Sequence, residues 1–285
     1  MTDLTDKIAI VTGANSGLGK ATAMGLAKMG ATVVMICRSR ERGETAQRDI
    51  IQQTGNQNVH LLQADLSVQA EVRRVAEEFK ERFDQLGLLV NNAGVTLYER
   101  HTTPDGIEAT LAINHLASFL LTHLLLDVLH ASAPARIINI NTVPWRNTTI
   151  HFDDLNFEKR KFSGFAAYSE TKTANLMFTF ELARRLEGTG VTVNAVHPGV
   201  FKSNLGKHNR PRPFSVMFWF MSPFVATPEQ AAERVIHVAA SPEWAAQTGR
   251  YIGKGAKDIQ PPPQCREDAV VEQLWTMSEH LTGLA

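Results

Sequence analysis

Tyr168 and Lys172 are the two residues of this sequence whose types and spacing most directly suggest chemistry. They lie four positions apart at the start of a predicted helix, so both side chains project from one face of that helix. An ammonium group beside a phenol favours the phenolate and lowers the phenol pKa from about 10 toward neutral pH, which suits a general acid or base. Tyrosine and lysine at this spacing are also common as surface residues, so the pair requires support from the rest of the sequence.

Further polar residues follow the ends of predicted strands. Residues 91–94, with the sequence NNAG, end the fourth strand, Asn114 lies within the helix that follows, and residues 197–199 end the sixth strand. Open α/β sheets bind ligands at the carboxyl ends of their strands, where these residues would meet Tyr168 and Lys172. The sequence therefore predicts an active site at this edge of a sheet.

A glycine-rich segment, residues 12–19 with the sequence TGANSGLG, separates the first predicted strand from the first predicted helix. At this position backbone N–H groups and the positive end of the helix can hold a pyrophosphate. Glycine permits close approach because it has no Cβ. The Gly-x-x-x-Gly-x-Gly spacing makes a wider loop than the commonest dinucleotide fingerprint. A structural tight turn is the alternative, and the position at the first strand-to-helix junction favours dinucleotide binding.

The end of the second predicted strand indicates which dinucleotide is bound. An NAD-selective site keeps a carboxylate there for the adenosine ribose diol. This sequence instead has Arg38, which can bond a 2′-phosphate, so NADP(H) is favoured over NAD(H). Arg40 and Arg42 add positive charge, with solvated helix-start charges as the alternative reading. After the third strand, Asp65 followed by Leu66 can accept from the adenine amino group or form a helix N-cap.

A parallel sheet must position these residues, and the sequence predicts one. Short apolar strands alternate with amphipathic helices, which is typical of right-handed βαβ units. We expect an α/β fold of the Rossmann type, with a doubly wound parallel sheet in three α/β/α layers, formed by a single domain over residues 1–285. The predicted strands are 7–12, 32–37, 59–63, 88–91, 136–141 and 191–196, with a last strand near Tyr251. The predicted helices are 18–29, 41–53, 68–83, 105–129, 165–186 and 228–240.

Composition excludes several classes of function. The 29 Lys and Arg residues balance the 29 Asp and Glu residues, so the excess positive charge needed to bind nucleic acid is missing. Two cysteines are too few for a disulfide framework or a thiolate metal site, and the ten histidines lack the spacing of metal ligands. The first residues do not resemble a secretory signal. We therefore expect a cytoplasmic protein that binds no metal.

The segment 202–227 is expected to form a lid over the substrate. Its apolar part, residues 213–226, is rich in Phe, Met and Trp. It is interrupted by Pro223 and is shorter than the roughly 20 apolar residues that span a bilayer. A lid over a lipophilic small molecule is the favoured reading, with shallow contact to a membrane surface and core packing as alternatives. The tail from residue 261, with three consecutive prolines, is expected to be peripheral.

The order of these motifs resembles the short-chain dehydrogenase/reductase family over residues 8 to about 240. The stretches AINHL, FLLT, DLN, LARRL and HPGV resemble its retinol dehydrogenase branch. The resemblance implies that Tyr168 donates or accepts the proton of the substrate oxygen. It also implies that Lys172 lowers the tyrosine pKa and holds the nicotinamide ribose, and that Asn114 orders a proton-relay water. A homodimer or tetramer is implied through the helix that holds Tyr168 and the helix before it.

The cofactor site implied by the resemblance has three parts. The glycine loop lines the pyrophosphate, residue 92 faces the adenosine side, and residues 200 and 203 lie at the nicotinamide carboxamide. With the adenosine candidates above, the implied cofactor-binding residues are Gly13, Asn15, Ser16, Gly17, Leu18, Gly19, Arg38, Asp65, Leu66, Asn92, Ala93, Gly94, Tyr168, Lys172, Pro198, Gly199, Val200 and Ser203.

One position departs from the family pattern. The fifth strand of the family ends in a serine pair whose second hydroxyl bonds the substrate oxygen, and here Asn141 and Thr142 take these places. Threonine has the same hydrogen-bonding capacity, but its methyl group restricts rotation and occupies space. Residues 143–145, with the sequence VPW, are stiff and bulky. Lower activity or a reshaped pocket is the expected consequence.

The favoured function is an NADP(H)-dependent oxidoreductase that transfers a hydride between nicotinamide and an alcohol or carbonyl group of a lipophilic small molecule. Its expected catalytic residues are Tyr168, Lys172, Asn114 and Thr142. Two alternatives remain open. One is an NADP-binding protein without redox turnover that acts as a regulator or scaffold, and the other is an enzyme of this fold that catalyses a non-redox elimination or cyclisation.

Overall fold

The computed structural model of the protein describes residues 2–142, 148–202 and 225–285. Within these ranges, seven strands form one sheet in the order β3-β2-β1-β4-β5-β6-β7, and all neighbouring strands are parallel. The chain runs outward from β1 in one direction and then in the other, so the predicted doubly wound fold is confirmed. The strands are β1 (Ile8–Thr12), β2 (Thr32–Cys37), β3 (Val59–Gln63), β4 (Leu88–Asn91), β5 (Ala135–Ile140), β6 (Val191–Val196) and β7 (Arg250–Ile252).

Helices cover both faces of this sheet. They are α1 (Gly17–Lys28), α2 (Arg40–Thr54), α3 (Gln69–Arg82), α4 (Ala109–Leu111), α5 (Ala117–Leu124), α6 (Leu126–Ala131), α7 (Gly164–Arg185), α8 (Pro228–Ala240) and α9 (Asp268–Thr282), with a π turn at Ala112–Leu116. Successive residues of β1 point to opposite faces, as the strand period requires. Ala9 and Val11 join the core under α1, α2 and α8, whereas Ile10 joins the core under α3, α5 and α7. Burial on both faces explains why the strands are almost wholly apolar.

The continuous helix predicted over residues 105–129 is wrong. The segment consists of α4, the π turn, α5 and α6, with a break at Leu125, whose φ and ψ of −108° and 4° are not helical. In the π turn, the N–H of Ala117 donates to the carbonyl of Ala112 instead of following the α-helical pattern. Apolar spacing could not reveal this turn, because it changes the register by a single residue. The π turn contains Asn114.

The prediction of a peripheral tail is also wrong. Helix α9 packs against α7 and the π turn, and Val271, Leu274 and Trp275 are buried. The three prolines lie before the helix, so they do not interrupt its apolar residues at helical spacing. This spacing could have predicted a packed C-terminal helix from the sequence. The expected lid at 202–227 lies almost wholly outside the described residues. At its base, Phe201 and Ala226 form an isolated parallel bridge.

The described ranges contain neither a membrane-spanning helix nor a metal-binding cluster. No helix there combines the length and the apolar character needed to cross a bilayer. No cluster of His, Cys, Asp and Glu side chains in the same ranges could hold a metal ion.

Candidate active site

Helix α7 carries Tyr168 and Lys172 and begins against the loop that follows β4. The hydroxyl of Ser163 caps the helix by accepting from the N–H of Ala166 at 3.4 Å. A Cβ on Gly164 would overlap the carbonyl of Leu97, so only glycine allows this close approach. The first two turns of α7 are thereby held beside the carboxyl ends of β4 and β5, as the sequence predicted.

Lys172 is the buried centre of the candidate site. Its Nζ donates to the carbonyl of Ile140 at 2.9 Å and lies 5.6 Å from the ring centroid of Tyr168. A Cβ on Gly94 would lie 4.0 Å from this Nζ and 3.4 Å from Oδ1 of Asn114. The tertiary structure therefore brings together Tyr168, Lys172, Asn114 and the loop after β4.

Burial governs the ionisation of the pair. It raises the pKa of Tyr168 to about 12 and lowers the pKa of Lys172 to about 8. Both shifts arise from desolvation, which disfavours the charged form of each group. Burial therefore acts on the tyrosine pKa in the direction opposite to the one expected of Lys172, whose own effect on the phenol stays a prediction. At neutral pH the phenol keeps its proton, which is the form that can donate to a carbonyl oxygen.

Asn114 uses its side chain to hold the loop after β4. Its Oδ1 accepts from the N–H of Val95 at 2.7 Å, and its Nδ2 donates to the carbonyl of Val95 at 2.9 Å and to the hydroxyl of Thr171 at 3.2 Å. Its backbone carbonyl accepts from Nδ2 of Asn175 at 2.7 Å. Sequence reasoning missed Thr171 and Asn175, which lie on α7 about one turn apart.

Thr142 lies just after β5 and is partly exposed. Its N–H donates to Oδ1 of Asn141 at 2.7 Å, and its carbonyl accepts from the phenol of Tyr251 at 2.7 Å. Its own hydroxyl makes no hydrogen bond with the residues described. Asn141 donates from Nδ2 to the carbonyl of Lys172 at 3.0 Å, so it ties the end of β5 to α7. Tyr251 was missed, because nothing in the local sequence relates it to a residue 109 positions away.

The glycine loop has the geometry of a pyrophosphate cradle. Gly13 and Gly17 have φ of +67° and +55°, which favour glycine. A Cβ on Gly17 would meet nothing within 4 Å, so the loop surface there is open. Ser16, the N-cap of α1, makes no side-chain bond to the first turn, and that turn holds no acidic residue. The positive end of α1 can therefore receive an anion, and these residues fit a dinucleotide.

Asn92 braces this loop from behind. Its Nδ2 donates to the carbonyl of Thr12 at 2.7 Å, and the hydroxyl of Thr12 accepts from the N–H groups of Asn92 and Ala93, each at 2.9 Å. The Asn92 side chain is thus partly buried and bonded to the glycine loop, and its place on the adenosine side stays a prediction. Thr12 is a positioning residue that the sequence did not reveal.

At the adenosine end, the arginines differ in their surroundings. Arg38 is exposed and forms no ion pair with a described residue, whereas Arg40 pairs with Glu44 at 2.9 Å. The solvated reading therefore holds for Arg40. Oδ1 of Asp65 accepts from the N–H and the hydroxyl of Ser67, at 2.9 and 2.7 Å, so this oxygen shapes the turn before α3. The neighbouring Leu66 packs against the core under α3.

Comparison with known proteins decides the family. The family model for the short chain dehydrogenase matches residues 7–153 and 156–213. Human retinol dehydrogenase 13 is 41% identical, over 98% of this chain and 85% of that protein. Human retinol dehydrogenase 12 is 42% identical, over 99% of this chain and 88% of that protein. The chain belongs to the short-chain dehydrogenase/reductase family, in its retinol dehydrogenase branch.

Solved structures of other proteins show the same fold. A protein of Mycobacterium paratuberculosis has a TM-score of 0.79 at 29% identity, over 99% of this chain and 96% of its own. Pseudomonas aeruginosa RhlG, in an active-site complex with NADP, has a TM-score of 0.70 at 29% identity, over 88% and 96%. A Burkholderia cenocepacia short chain dehydrogenase in complex with NADP has a TM-score of 0.69 at 27% identity, over 88% and 96%.

The turn after β6 is the part of this short-chain dehydrogenase expected beside the nicotinamide. Pro198 is buried, Gly199 has a φ of +87°, and Val200 is 68% exposed. Nη1 of Arg234 on α8 donates to the carbonyl of residue 197 at 3.1 Å and would lie 3.0 Å from a Cβ on Gly199. Arg234 therefore holds this turn in place. The sequence did not reveal this positioning role. Ser203 lies outside the described residues.

The dimer interface expected for the family involves α7 and the helix before it. Helix α9 of the same chain covers part of this surface. Helix α9 lies against α7, and the Trp275 ring is 5.1 Å from Phe119 on α5 and 6.1 Å from Phe178 on α7. The guanidinium carbon of Arg185 lies 3.9 Å from the centroid of Trp275. A second copy could not use the covered surface while α9 stays in place. A homo-oligomer remains a prediction.

Proposed function

We propose that this chain transfers a hydride between NADP(H) and the alcohol or carbonyl carbon of a lipophilic small molecule. The observation that carries the proposal is the convergence of Tyr168, Lys172 and Asn114 on the loop after β4, at the edge of the sheet where the glycine loop opens. A proton donor, a buried cation and a phosphate cradle in one cleft are the groups that this reaction needs.

The residues divide the work as follows. The bound nicotinamide supplies or accepts the hydride. Tyr168 holds a proton on its phenol for the substrate oxygen, and Lys172 provides a cation beside that phenol. The partly exposed Thr142 offers a second hydroxyl to the same oxygen. Asn114 holds the loop at Val95 in place, so that the wall of the cleft is formed before ligands bind.

The choice of NADP(H) rests on Arg38. Its guanidinium is exposed at the end of β2 without an ion-pair partner among the described residues, so it can bond a 2′-phosphate at little cost. A carboxylate that would prefer the ribose diol is missing at this position. Two of the structural relatives described above were solved with NADP, which agrees with this assignment.

A lipophilic substrate is supported by sequence relatives and by composition. Proteins named retinol dehydrogenases, whose names denote an apolar alcohol, are about 40% identical over nearly the whole chain. The sequence adds an apolar run at residues 213–226, rich in Phe, Met and Trp, which lies almost wholly outside the described residues. Retinoid-like, steroid-like and polyketide-like carbonyl compounds are therefore the first substrates to test.

Replacement of Tyr168 by Phe tests the catalytic assignment. We expect turnover of NADPH with an aldehyde panel to fall at least about a hundredfold, since the general acid is lost. NADPH affinity, measured by fluorescence, should change less than about twofold, because the phenol does not carry the nucleotide's binding energy. Retained turnover in Tyr168→Phe would remove this residue from the acid role.

Replacement of Arg38 by Ala tests the cofactor assignment. Loss of a charged hydrogen bond is worth about 1.5–3 kcal/mol, so the Kd for NADPH should rise roughly tenfold to a hundredfold. The Kd for NADH should stay the same, and Arg40→Ala, whose side chain pairs with Glu44, should change neither value. Equal losses for both nucleotides would contradict a 2′-phosphate contact.

Asn141 and Thr142 stand where the family has a serine pair, so the two non-redox functions also require a test. A panel of aldehydes and ketones, followed at the NADPH absorbance band, distinguishes them from hydride transfer. Tight NADPH binding without any consumption would favour a regulatory protein, or an enzyme that catalyses elimination or cyclisation.

A further inference from the structure

A line of buried polar groups connects the π turn at Asn114 to the C-terminal helix. Nδ2 of Asn175 donates to the carbonyl of Asn114 at 2.7 Å. The two ring nitrogens of His115 lie 2.9 Å from Oδ1 of Asn175 and 2.9 Å from Oγ of Ser278 on α9. All four residues are at most 5% exposed. None of these contacts was used in the hydride-transfer mechanism described above.

The direction of each bond follows from chemistry. Asn175 turns its amide N–H₂ to the Asn114 carbonyl, so its oxygen faces Nδ1 of His115, which must carry a proton. Burial lowers the pKa of His115 to about 4, so the ring is neutral at pH 7 and Nε2 is an acceptor. The Ser278 hydroxyl donates to the carbonyl of Leu274 at 2.7 Å and can share the same proton with Nε2 in a bifurcated bond. The bonds donated by Nδ1 of His115 and by Nδ2 of Asn175 thus both point toward Asn114.

The line ends at a backbone group whose position matters. A π turn is a local departure from α-helical geometry and depends on its surroundings to persist. The side chain of Asn114 fixes one side of this turn by its two bonds to Val95. Asn175 fixes the other side and stands three positions after Lys172 on α7, so it also sets the turn relative to the catalytic lysine.

We infer that Asn175 is a positioning residue, oriented by His115 and Ser278, that fixes the π turn at Asn114 against the helix that carries Lys172 and makes helix α9 a structural part of the candidate site. The inference rests on the proposed hydride transfer for its catalytic consequence. Its structural content, the directed hydrogen bonds from Ser278 to Asn114, stands apart from that reaction.

Asn175→Asp is the informative substitution. It keeps the shape of the side chain and an acceptor for His115, but it removes the donor to Asn114. Since misplacement by about 1 Å costs up to a hundredfold in rate, kcat should fall roughly tenfold to a hundredfold. The KM for the carbonyl substrate and the Kd for NADPH should change less than about threefold, because neither ligand contacts residue 175.

Ser278→Ala perturbs the far end of the line without placing a charge in the core. Loss of one neutral hydrogen bond predicts a kcat roughly twofold to tenfold lower. Thr282→Val is the matched control, because Thr282 is also buried on α9 and, among the described residues, its hydroxyl bonds only to the carbonyls of Ser278 and Glu279 on its own helix. This control should keep kcat at the wild-type value.

Two measurements decide the structural part without turnover. Amide hydrogen exchange over residues 112–117 should be at least about tenfold faster in Asn175→Asp and faster in Ser278→Ala, and unchanged in Thr282→Val. Nitrogen-15 NMR of histidine-labelled protein should show His115 neutral and protonated at Nδ1.

The outcomes separate the two proposals. If no carbonyl compound is reduced by the wild-type protein, the proposed function fails, and exchange and NMR still test the hydrogen-bonded line. If the wild type is active but Asn175→Asp and Ser278→Ala keep its kcat, the positioning role is refuted. Protonation of His115 at Nε2 with Nδ1 bare, or wild-type exchange in both variants, refutes the directed line itself.

Discussion

Gly19→Ala is the substitution that tests the glycine loop most directly. Gly19 lies in the first turn of α1, where the backbone conformation accepts any residue. Helix propensity alone would favour alanine there by up to about 1 kcal/mol. A Cβ at this position, however, would overlap the carbonyl oxygen of Gly13 and Nδ2 of Asn92, and would lie 2.9 Å from the carbonyl carbon of Gly13.

We expect Gly19→Ala to destabilise the protein, because the added Cβ would clash with backbone atoms, which cannot rotate away as a side chain can. Relief to the usual carbon–oxygen distance of about 3.3 Å requires the loop and α1 to move apart by up to about 1 Å. Overpacking of this kind costs roughly 1–3 kcal/mol, which exceeds the gain in helix propensity. The shift also takes N–H donors away from the pyrophosphate. Since a hydrogen bond to a charged group is worth about 1.5–3 kcal/mol, NADPH affinity should fall about tenfold to a hundredfold.

Two assays follow the two effects. Thermal unfolding should show a lower Tm, by roughly 2–4 °C per kcal/mol for a chain of this size. Fluorescence titration should give the rise in the NADPH Kd. Gly25→Ala is the control on the same helix, because its Cβ would meet the movable end of the Ile236 side chain instead of backbone. If Gly19→Ala binds NADPH as tightly as the wild type, the cradle described above is incorrect.

Two further predictions concern the catalytic side chains. Thr142→Ser should keep turnover within a few-fold, whereas Thr142→Val should lose roughly a hundredfold or more, as expected for loss of a hydrogen-bond donor to the reacting oxygen. Equal rates in the two variants would exclude the hydroxyl from catalysis. Lys172→Met should be more stable than the wild type at pH 7, by up to about 3 kcal/mol of unfolding free energy. Burial lowers the pKa of Lys172 from 10.5 to about 8, so the cost of burying its charge is fully present below pH 8. Between pH 8 and 10.5 the unfolded wild type binds more protons than the folded protein, so wild-type stability rises and the difference shrinks. Denaturant unfolding at pH 7 and pH 10 measures the difference, and a constant gap would contradict the burial of a charged lysine.

The sequence predicted the parts of the site that depend on local pattern. Strands buried on both faces are apolar runs, and the four-residue spacing of Tyr168 and Lys172 is a property of one helix. The glycine loop was recognised because it joins a strand to a helix. Parallel strands then required these separate segments to meet at one edge of the sheet, and the structure places them there.

Other features of the site depend on residues that are far apart in the sequence. The amide of Asn92 was expected at the cofactor, and its bond to Thr12 reaches 80 positions back along the chain. The π turn at Asn114 changes the helical register by one residue, which apolar spacing cannot detect. Tyr168 was expected to have a lowered pKa from its neighbour Lys172, but burial, which only packing determines, acts in the opposite direction.

By itself, the sequence determined the fold class and predicted the cofactor loop and the candidate catalytic pair, because each is encoded by short-range spacing and by side-chain chemistry. Only the tertiary structure decided how these groups are held. His115 and Ser278 are 163 positions apart, and α9 packs against α7 although β6, α8 and β7 separate the two helices in the sequence. Desolvation and hydrogen-bond geometry arise from packing, and packing is a property of the folded chain as a whole.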